Sequence, residues 1–231
     1  DGESAITLGK FDGFHRGHQK LLKKLQDEKA EGCLSVVFTF DIPPKAYIGG
    51  TPPRMLLTWQ EKCGLAERFG ADWLVACPFT DEIRNMEAAR FVEEILVKRL
   101  HVRQLAAGED FRFGYQRGGD VNLLGELSRK YGYHLWVVEK ERDHGQVISS
   151  TLIREELSGG NMERVNELLG YDFCVTGEIV HGARLGRTIG MPTINLIPGP
   201  EKLLPPNGVY VTSVEIEGRL YQGVTNIGYK P

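Results

Sequence analysis

The sequence predicts an α/β fold: a parallel β-sheet with helices on both faces, followed by a smaller β-rich unit. Up to residue 139, short apolar runs alternate with stretches of helical periodicity, which is the pattern of a parallel sheet. A glycine-bearing turn joins the first strand directly to the first helix. After Gly170 the long helical patterns stop, and short strand-like runs with many glycines follow. We therefore expect a domain boundary near Gly170, with one unit over 1–170 and a second over 171–231.

Five apolar runs are predicted to form the strands of the sheet. Each is short, and the run 34–40 (LSVVFTF) is rich in β-branched residues, as a buried strand should be. They cover 5–8, 34–40, 73–77, 104–107 and 135–139.

Helical periodicity between these runs predicts the helices. Thr58 and Glu61 form a capping-box pattern, and Gly70 is expected to end the helix that they begin. Gly132 is expected to end another helix in the same way. The predicted helices cover 19–29, 58–70, 87–100, 121–131 and 161–169.

The second unit is predicted from three short runs, 174–175, 194–196 and 209–216. Glu217 and Gly218 separate two apolar stretches, which predicts a β-hairpin. We therefore expect a β-rich second unit over 171–231.

Composition excludes several functional classes. The net charge of −3 gives the chain no general electrostatic reason to bind nucleic acid or an anionic membrane. The four cysteines form no CxxC pair, which favours free thiols in a reducing compartment. No signal peptide and no apolar run of membrane-spanning length are present. These observations predict a soluble, cytoplasmic protein.

The turn after the first strand, GKFDGFHRGH over 9–18, carries the strongest chemical signal. A strand that leads directly into a helix N-terminus favours anions, and glycines let a phosphate approach the backbone. His15 and His18 would share one face of the first helical turn. Residue spacing alone leaves two alternatives open, because a histidine is often structural and an HxxH pair can be part of a metal site.

A second signal lies in the sequence ISSTLIR over 148–154. Ser149, Ser150 and Thr151 are good helix N-caps, which is one interpretation. Arg154 follows one turn later, and hydroxyls with a guanidinium suit a polyphosphate, which is the other.

Several loops should meet at one edge of the sheet, because ligands of such sheets bind beyond the carboxyl ends of the strands. They are the 9–18 turn, the proline-rich loop after the second strand, and the loop GEDFRFG over 108–114. In the last of these, Phe111 and Phe113 are either core anchors or part of an aromatic cleft.

Residues 9–18 resemble the HxGH signature of the nucleotidylyltransferase superfamily. The G-x-F-D-G version found here is similar to that of the bacterial bifunctional riboflavin kinase/FMN adenylyltransferase family, also called prokaryotic FAD synthetases. Residues 148–154 resemble the ISSTxIR motif of the same family. The resemblance implies a Rossmann-like nucleotidylyltransferase domain that transfers AMP from ATP to FMN with Mg²⁺, giving FAD and pyrophosphate.

The resemblance also implies roles for individual residues. His15, His18 and Arg154 would be catalytic. The residues implied to bind ATP are Gly9, Phe11, Asp12, Gly17, Ser149, Ser150 and Thr151.

The flavin-binding residues are implied by two further loops. FTFDIPP over 38–44 resembles the family's F-D-P-x-P loop, but Ile42 stands where a proline is usual, so only Phe40 and Pro44 are carried over. The loop over 108–114 is similar to the family's G-x-[DN]-F-x-F-G loop. It implies flavin contacts for Asp110, Phe111 and Phe113.

GARLGRTIGMPTIN over 182–195 resembles the riboflavin kinase signature that ends in P-T-x-N. Thr193 and Asn195 would hold Mg²⁺, which prefers hard oxygen ligands. The resemblance assigns kinase ATP binding to Gly182, Arg184, Gly186, Arg187 and Pro192. Without the resemblance, this stretch is typical of a glycine-rich hairpin loop with solvated arginines. Kinase modules of the family continue through further strands and carry their catalytic glutamate there, so the resemblance implies a partial β-barrel over 171–231 that is incomplete at its C-terminal end. Phosphorylation of riboflavin to FMN is therefore expected of the intact protein rather than of this chain.

Two other functions remain alternatives. One is adenylyl transfer to a different acceptor, a nicotinate or pantetheine phosphate, although the P-T-x-N stretch argues against it. The other is a flavin- or nucleotide-binding regulator without turnover.

Overall fold

The computed structural model describes residues 2–41, 54–181 and 193–228. Its centre is a five-stranded sheet in which every neighbouring pair of strands is parallel. The strands are β1 (Ser4–Leu8), β2 (Leu34–Phe40), β3 (Trp73–Cys77), β4 (Val102–Gly108) and β5 (His134–Val138). Their order is β3-β2-β1-β4-β5, so the sheet reverses direction of winding at β1. The predicted α/β class is confirmed.

Helices cover both faces of this sheet. They are α1 (Arg16–Asp27), α2 (Trp59–Arg68), α3 (Asp81–Arg84), α4 (Ala88–Phe91), α5 (Val121–Tyr131), α6 (Ser150–Ser158) and α7 (Met162–Leu169). Helix α4 continues as a π-helix over Val92–Val97, which the sequence pattern did not predict. A short 3₁₀ turn covers Tyr115–Arg117.

The alternation of side chains along the strands creates a core on each face. In β2, Val36 packs in one apolar cluster with Phe91 of α4, whereas the next residue, Val37, packs in another with Leu22 of α1. Every residue of β1 is buried. Because β1 is covered on both sides, neither of its faces meets solvent, and its sequence shows no alternation of apolar and polar residues.

The predicted helix ends are set by local chemistry. The capping box is present: the backbone N–H of Glu61 donates to the Thr58 hydroxyl at 3.2 Å, and the backbone N–H of Thr58 donates to the Glu61 carboxylate at 2.9 Å. Gly132 ends α5 with a φ of 78°, a conformation that favours glycine. Helix α1 begins earlier than predicted, because the His15 carbonyl already accepts the backbone N–H of His18 and of Gln19.

One strand prediction was wrong. Residues 174–175 lie outside any strand, and the first strand of the second unit is β8 (Gly177–Val180). The backbone N–H groups here donate to side chains of the first unit: that of Phe173 to Asn166 and that of Thr176 to Glu61. They are therefore not available for a ladder.

Three antiparallel pairs accompany the main sheet in the described residues. The sequence did not predict the small hairpin of β6 (Arg142–Asp143) and β7 (Gln146–Val147). Strand β8 pairs with β9 (Asn195–Pro198), and β10 (Gly208–Ile216) pairs with β11 (Arg219–Ile227). Glu217 and Gly218 form the turn of the predicted hairpin with φ values of 51° and 75°. No helix in the described part of the chain is long and apolar enough to cross a bilayer.

Candidate nucleotide-binding site

The turn after β1 lies at the carboxyl edge of the sheet, beside the point where the strand order reverses. Phe11, Gly13 and Phe14 take left-handed backbone conformations, with φ values of 47°, 93° and 39°. Such conformations are costly for phenylalanine. Burial offsets this cost, because both phenylalanine side chains are fully buried among apolar residues that include Leu56 and Ile153. The two buried rings thus anchor the turn to the apolar core.

The two histidines of the turn lie against each other. Their ring centroids are 3.7 Å apart, and the ring planes differ by 23°. His15 is the N-cap residue of α1, although its side chain makes no capping hydrogen bond. The Nδ1 atoms of both rings are buried and have no hydrogen-bond partner in the described residues.

The surroundings of both imidazoles favour their neutral form. Burial lowers the pKa of His15 to about 4. Burial also lowers the pKa of His18 well below its usual value, and its nearness to two other groups that can carry positive charge, His15 and Lys62, lowers it further. An anion placed beside these rings would act in the opposite direction and favour their protonation.

The glycines at 9 and 17 leave room for rings. A Cβ on Gly17 would lie 3.2 Å from Cε1 and Nδ1 of His15, and a Cβ on Gly9 would lie 3.1 Å from the Phe11 ring. Both contacts are tighter than ordinary van der Waals distances. The absence of a side chain at Gly17 therefore leaves space for the His15 ring where it lies.

Arg154 reaches the same turn. Its guanidinium donates to the Asp12 carboxylate and to the Arg54 carbonyl oxygen. The other carboxylate oxygen of Asp12 accepts the backbone N–H of Leu56 at 2.9 Å. Asp12 is almost completely buried, so its role is to hold Arg154 beside the turn. The structure therefore brings Arg154 to a residue three positions before His15.

The hydroxyl residues at the start of α6 divide between two roles. Ser149 is the N-cap, because its side chain accepts the backbone N–H of Leu152 at 3.2 Å. The Ser150 hydroxyl donates to the Asp12 carbonyl oxygen at 2.6 Å and ties α6 to the turn. Thr151 is exposed. The start of α6 is thus tied to the turn that precedes α1.

Three aromatic residues among those predicted to bind flavin, Phe40, Phe111 and Phe113, belong to or pack against one core cluster and form an aromatic patch at the ends of β2 and β4. Phe40 makes an edge-to-face contact with Phe79, at 5.0 Å between ring centroids. The rings of Phe111 and Phe113 are stacked at 5.5 Å, but Phe113 is buried in the core and serves as an anchor. Asp110 is exposed and pairs with Lys140 at 2.9 Å. Pro44 lies outside the described residues.

The predicted kinase residues are only partly described. Thr193 is exposed and precedes β9, and Asn195 is half-buried as the first residue of that strand. The remaining predicted residues lie outside the described part of the chain: Gly182, Arg184, Gly186, Arg187 and Pro192.

Sequence reasoning missed Lys62. This buried side chain from α2 donates to the Lys10 carbonyl oxygen at 2.9 Å, and burial lowers its pKa. It adds a second cation beneath the turn, next to the histidines. Its position immediately after the capping-box residue Glu61 was the only available signal, and that signal says nothing about a partner 52 residues away.

Sequence reasoning also missed the groups that fix the backbone of the turn. The Tyr171 hydroxyl donates to the Gly13 carbonyl oxygen at 2.5 Å. The Gln19 carboxamide donates to the carbonyl oxygens of Phe14 at 2.7 Å and of Leu169 at 2.6 Å. These bonds connect the turn to α7 and to the start of the second unit.

An ion-pair cluster lies beside the first turn of α1. Arg16 and Arg164 both pair with Asp143 on the β6–β7 hairpin, and their hydrogen bonds hold the pKa of that carboxyl below its usual range. Because Arg16 also contacts Glu141, its guanidinium is engaged within the protein.

Comparisons with known proteins agree with this geometry. Residues 1–152 match the family model for FAD synthetase, and residues 169–231 match the model for riboflavin kinase. The bifunctional riboflavin kinase/FMN adenylyltransferase of Escherichia coli K12 is 38% identical over 98% of this chain and 73% of its own length. The enzyme of that name from Bacillus subtilis 168 is 35% identical over 99% of this chain and 73% of its own.

A solved structure extends the likeness to the fold. A crystal structure of a Streptococcus pneumoniae protein, described as a macrolide-efflux protein, superposes with a TM-score of 0.86 at 30% identity. The match covers 98% of this chain and 74% of that one. The separate antiparallel pairs after residue 176 also fit a flavokinase-like domain. With both family models matched in order along the chain, this protein belongs to the bifunctional riboflavin kinase/FMN adenylyltransferase family.

Proposed function

We propose that this chain transfers AMP from ATP to FMN, releasing FAD and pyrophosphate. The observation that carries this proposal is the contact between Arg154 and Asp12, which joins two motifs 142 residues apart at the carboxyl edge of the sheet. We further propose that the boundary near Gly170 separates this activity from a riboflavin kinase unit over 171–231, where riboflavin is phosphorylated to FMN with ATP.

The reaction joins two anions, so its barrier is largely electrostatic. His15, His18 and Arg154 would stabilise charge on the phosphoryl oxygens of the transferred group. Buried ring nitrogens without protein partners are costly. Phosphoryl oxygens would supply such partners and would favour protonated imidazoles. The phosphate of FMN is already a nucleophile near neutral pH, so the chain needs no dedicated general base.

Mg²⁺ fits both halves of the proposal. In the transferase site the carboxylate of Asp12 is already paired with Arg154, so the triphosphate itself would carry the ion there. In the kinase unit, Thr193 and Asn195 present oxygen atoms of the type that Mg²⁺ prefers. When bound, the ion neutralises charge on the phosphates.

The acceptor would lie beside the aromatic patch at the ends of β2 and β4. Phe40 and Phe111 are both partly buried against the same core cluster, which makes their rings a firm apolar surface. An isoalloxazine ring gains most of its binding energy from such stacking area. The phosphate of FMN would then extend toward the turn at 9–18.

The direct test is to incubate the chain with ATP, Mg²⁺ and FMN and to separate the products by chromatography. We expect FAD and pyrophosphate in equal amounts, and none with Arg154→Ala or with a chelator in place of Mg²⁺. Turnover of a nicotinate or pantetheine phosphate but not of FMN would assign a different acceptor. Nucleotide binding without any product would identify a binding protein.

The kinase proposal has a separate test. In the longest natural form of the protein, riboflavin and ATP should give FMN, and Thr193→Ala should abolish this reaction while leaving FMN adenylylation unchanged. Unchanged phosphorylation in that variant would remove Thr193 from the kinase site.

We also propose that the protein works in the cytoplasm. All four cysteines lie in the described residues and are free thiols, which suits a reducing compartment.

A further inference from the structure

The short segment 54–57 lies between the candidate site and the second unit. On one side, the backbone N–H of Met55 donates to the Glu201 carbonyl oxygen at 2.6 Å, and that of Leu203 donates to the Met55 carbonyl oxygen at 2.7 Å. Met55 and Lys202 therefore pair as a short parallel bridge. Residues that follow β9 in the second unit thus add a strand-like contact to a loop of the first.

On its other side, the same segment holds the catalytic ion pair. The backbone N–H of Leu56 donates to the Asp12 carboxylate at 2.9 Å, and the carbonyl oxygen of Arg54 accepts the Arg154 guanidinium. The positions of both charged groups therefore depend on where the segment lies.

Lys202 fastens this segment from the second unit. Its side chain is fully buried. Its ammonium donates to the Leu56 carbonyl oxygen at 2.7 Å and to the Glu61 carboxylate at 2.6 Å, and it lies 4.3 Å from the centroid of the Phe173 ring. A buried ammonium is expensive unless such partners satisfy it, so the site fixes its geometry closely.

Glu61 also bonds to a second residue of the second unit. Besides Lys202, its carboxylate accepts the backbone N–H of Thr176 at 2.8 Å and the Thr176 hydroxyl at 3.1 Å. The next residue of α2, Lys62, donates to the Lys10 carbonyl oxygen in the turn. Two routes therefore lead from Lys202 to the 9–18 turn, one through Leu56 and one through α2.

We propose that Lys202 is a positioning residue for adenylyl transfer: it clamps Leu56 and Glu61 and so holds the Asp12–Arg154 pair where the triphosphate binds. This inference rests on the proposed function. It means that the second unit builds part of the adenylyl-transfer site and is more than a neighbour on the same chain.

The first test replaces Lys202 by an uncharged side chain of similar length. Lys202→Met removes both hydrogen bonds of the ammonium, and we expect kcat/KM for ATP in FAD formation to fall about tenfold, as for one lost buried contact. Lys98→Met is the matched control, since Lys98 is an exposed lysine whose ion-pair partners among the described residues are Glu93 and Glu94. Wild-type kcat/KM in Lys202→Met would overturn the proposal.

A second variant separates positioning from stability. Lys202→Met leaves Glu61 charged, buried and unpaired by a cation, which destabilises the fold. The double variant Lys202→Met/Glu61→Gln removes that charge, and glutamine can still close the capping box. We expect its melting temperature to recover while kcat/KM for ATP stays low. Recovery of both quantities together would show a purely structural role and overturn the proposal.

Hydrogen exchange gives a measurement that does not depend on FAD formation. The Leu56 amide, which is bonded to Asp12, should exchange faster in the double variant than in wild type or Lys98→Met. Unchanged exchange at Leu56 would overturn the clamp. If wild type forms no FAD but Leu56 exchange and ATP affinity still respond to Lys202, the proposed function fails and the clamp stands.

Discussion

The two units of this chain differ in how completely their described residues bury apolar side chains. In the first unit every residue of β1 is buried, and helices cover both faces of the sheet. In the hairpin of the second unit, Val211 is 85% exposed and Val224 is 76% exposed. Their candidate ligand-binding residues differ in the same way. His15 is buried and Arg154 is held by the distant Asp12, whereas Thr193 is exposed just before β9.

This difference indicates where chemistry depends on packing. Groups fixed by many neighbours can be aimed at developing charge before substrate arrives, which is the main source of electrostatic catalysis. Groups on an exposed strand have fewer such constraints. Single substitutions should therefore affect the first unit strongly and the exposed hairpin weakly.

The largest expected effect is at the histidine pair. His18→Ala should lower kcat for FAD formation by about 10²–10³-fold, because it removes one group that we propose stabilises charge in the transition state. Steady-state kinetics with ATP, Mg²⁺ and FMN would measure it. His144→Asn is the control, because His144 is an exposed histidine on the β6–β7 turn. Unaltered turnover in His18→Ala would remove His18 from the mechanism.

The next effect concerns stability and pH. Burial lowers the pKa of His15 to about 4, so between pH 6.5 and 4 the unfolded chain binds a proton that the folded, ligand-free protein does not. The neutral His15 therefore stabilises the folded protein fully above pH 6.5, and this stabilisation is lost as the pH falls toward 4. Between pH 7 and pH 5 this proton uptake should lower the free energy of unfolding by about 2 kcal/mol.

Urea denaturation of wild type and His15→Asn at both pH values would measure this contribution. Asparagine is a good N-cap, so the variant keeps the start of α1. Its loss of stability on acidification should be smaller than that of wild type by the stated amount. Equal losses would show that His15 titrates normally in the folded protein.

A smaller effect is expected at Gly17. In Gly17→Ala the new methyl group would lie 3.2 Å from the His15 ring and displace it. FAD formation should fall about tenfold, in keeping with the sensitivity of catalysis to small misplacements. The melting temperature should not fall, since alanine favours helix. An active Gly17→Ala would show that the His15 ring can shift without consequence.

The smallest effect is expected on the exposed hairpin. Val211→Thr keeps a β-branched side chain on β10 and should change the free energy of unfolding by less than about 0.5 kcal/mol, with FAD formation unaltered. Thermal denaturation and the FAD assay would check both. A large loss would mean that this surface is covered in the working protein, and it would remove the contrast between the two units.

Local patterns in the sequence were enough for much of the fold. The helix over 121–131, its end at Gly132, the capping box at Thr58 and the hairpin turn at Glu217 each depend on a few adjacent residues, and the structure confirms them. The run 174–175 misled because its neighbours bond to distant side chains, which no local pattern can indicate.

The candidate site likewise has features that local sequence patterns predict and features that they do not. The turn at 9–18 and the start of α6 could be found from their residue types and spacing. The partners of these residues could not, because Asp12 with Arg154 and Lys62 with Lys10 are pairs that only the folded chain brings together. Lys202 is a further example, since nothing in its surrounding sequence distinguishes it from a surface lysine.

The buried rings of Phe11 and Phe14 have a consequence for binding. A loop that stays loose until its ligand arrives must be ordered by that ligand, and this ordering weakens the affinity. Here the two rings are locked in the core, so the backbone between them is set during folding. A nucleotide bound at this turn, as we propose, would meet a surface that already has its final shape, and its interactions could act on the reaction itself.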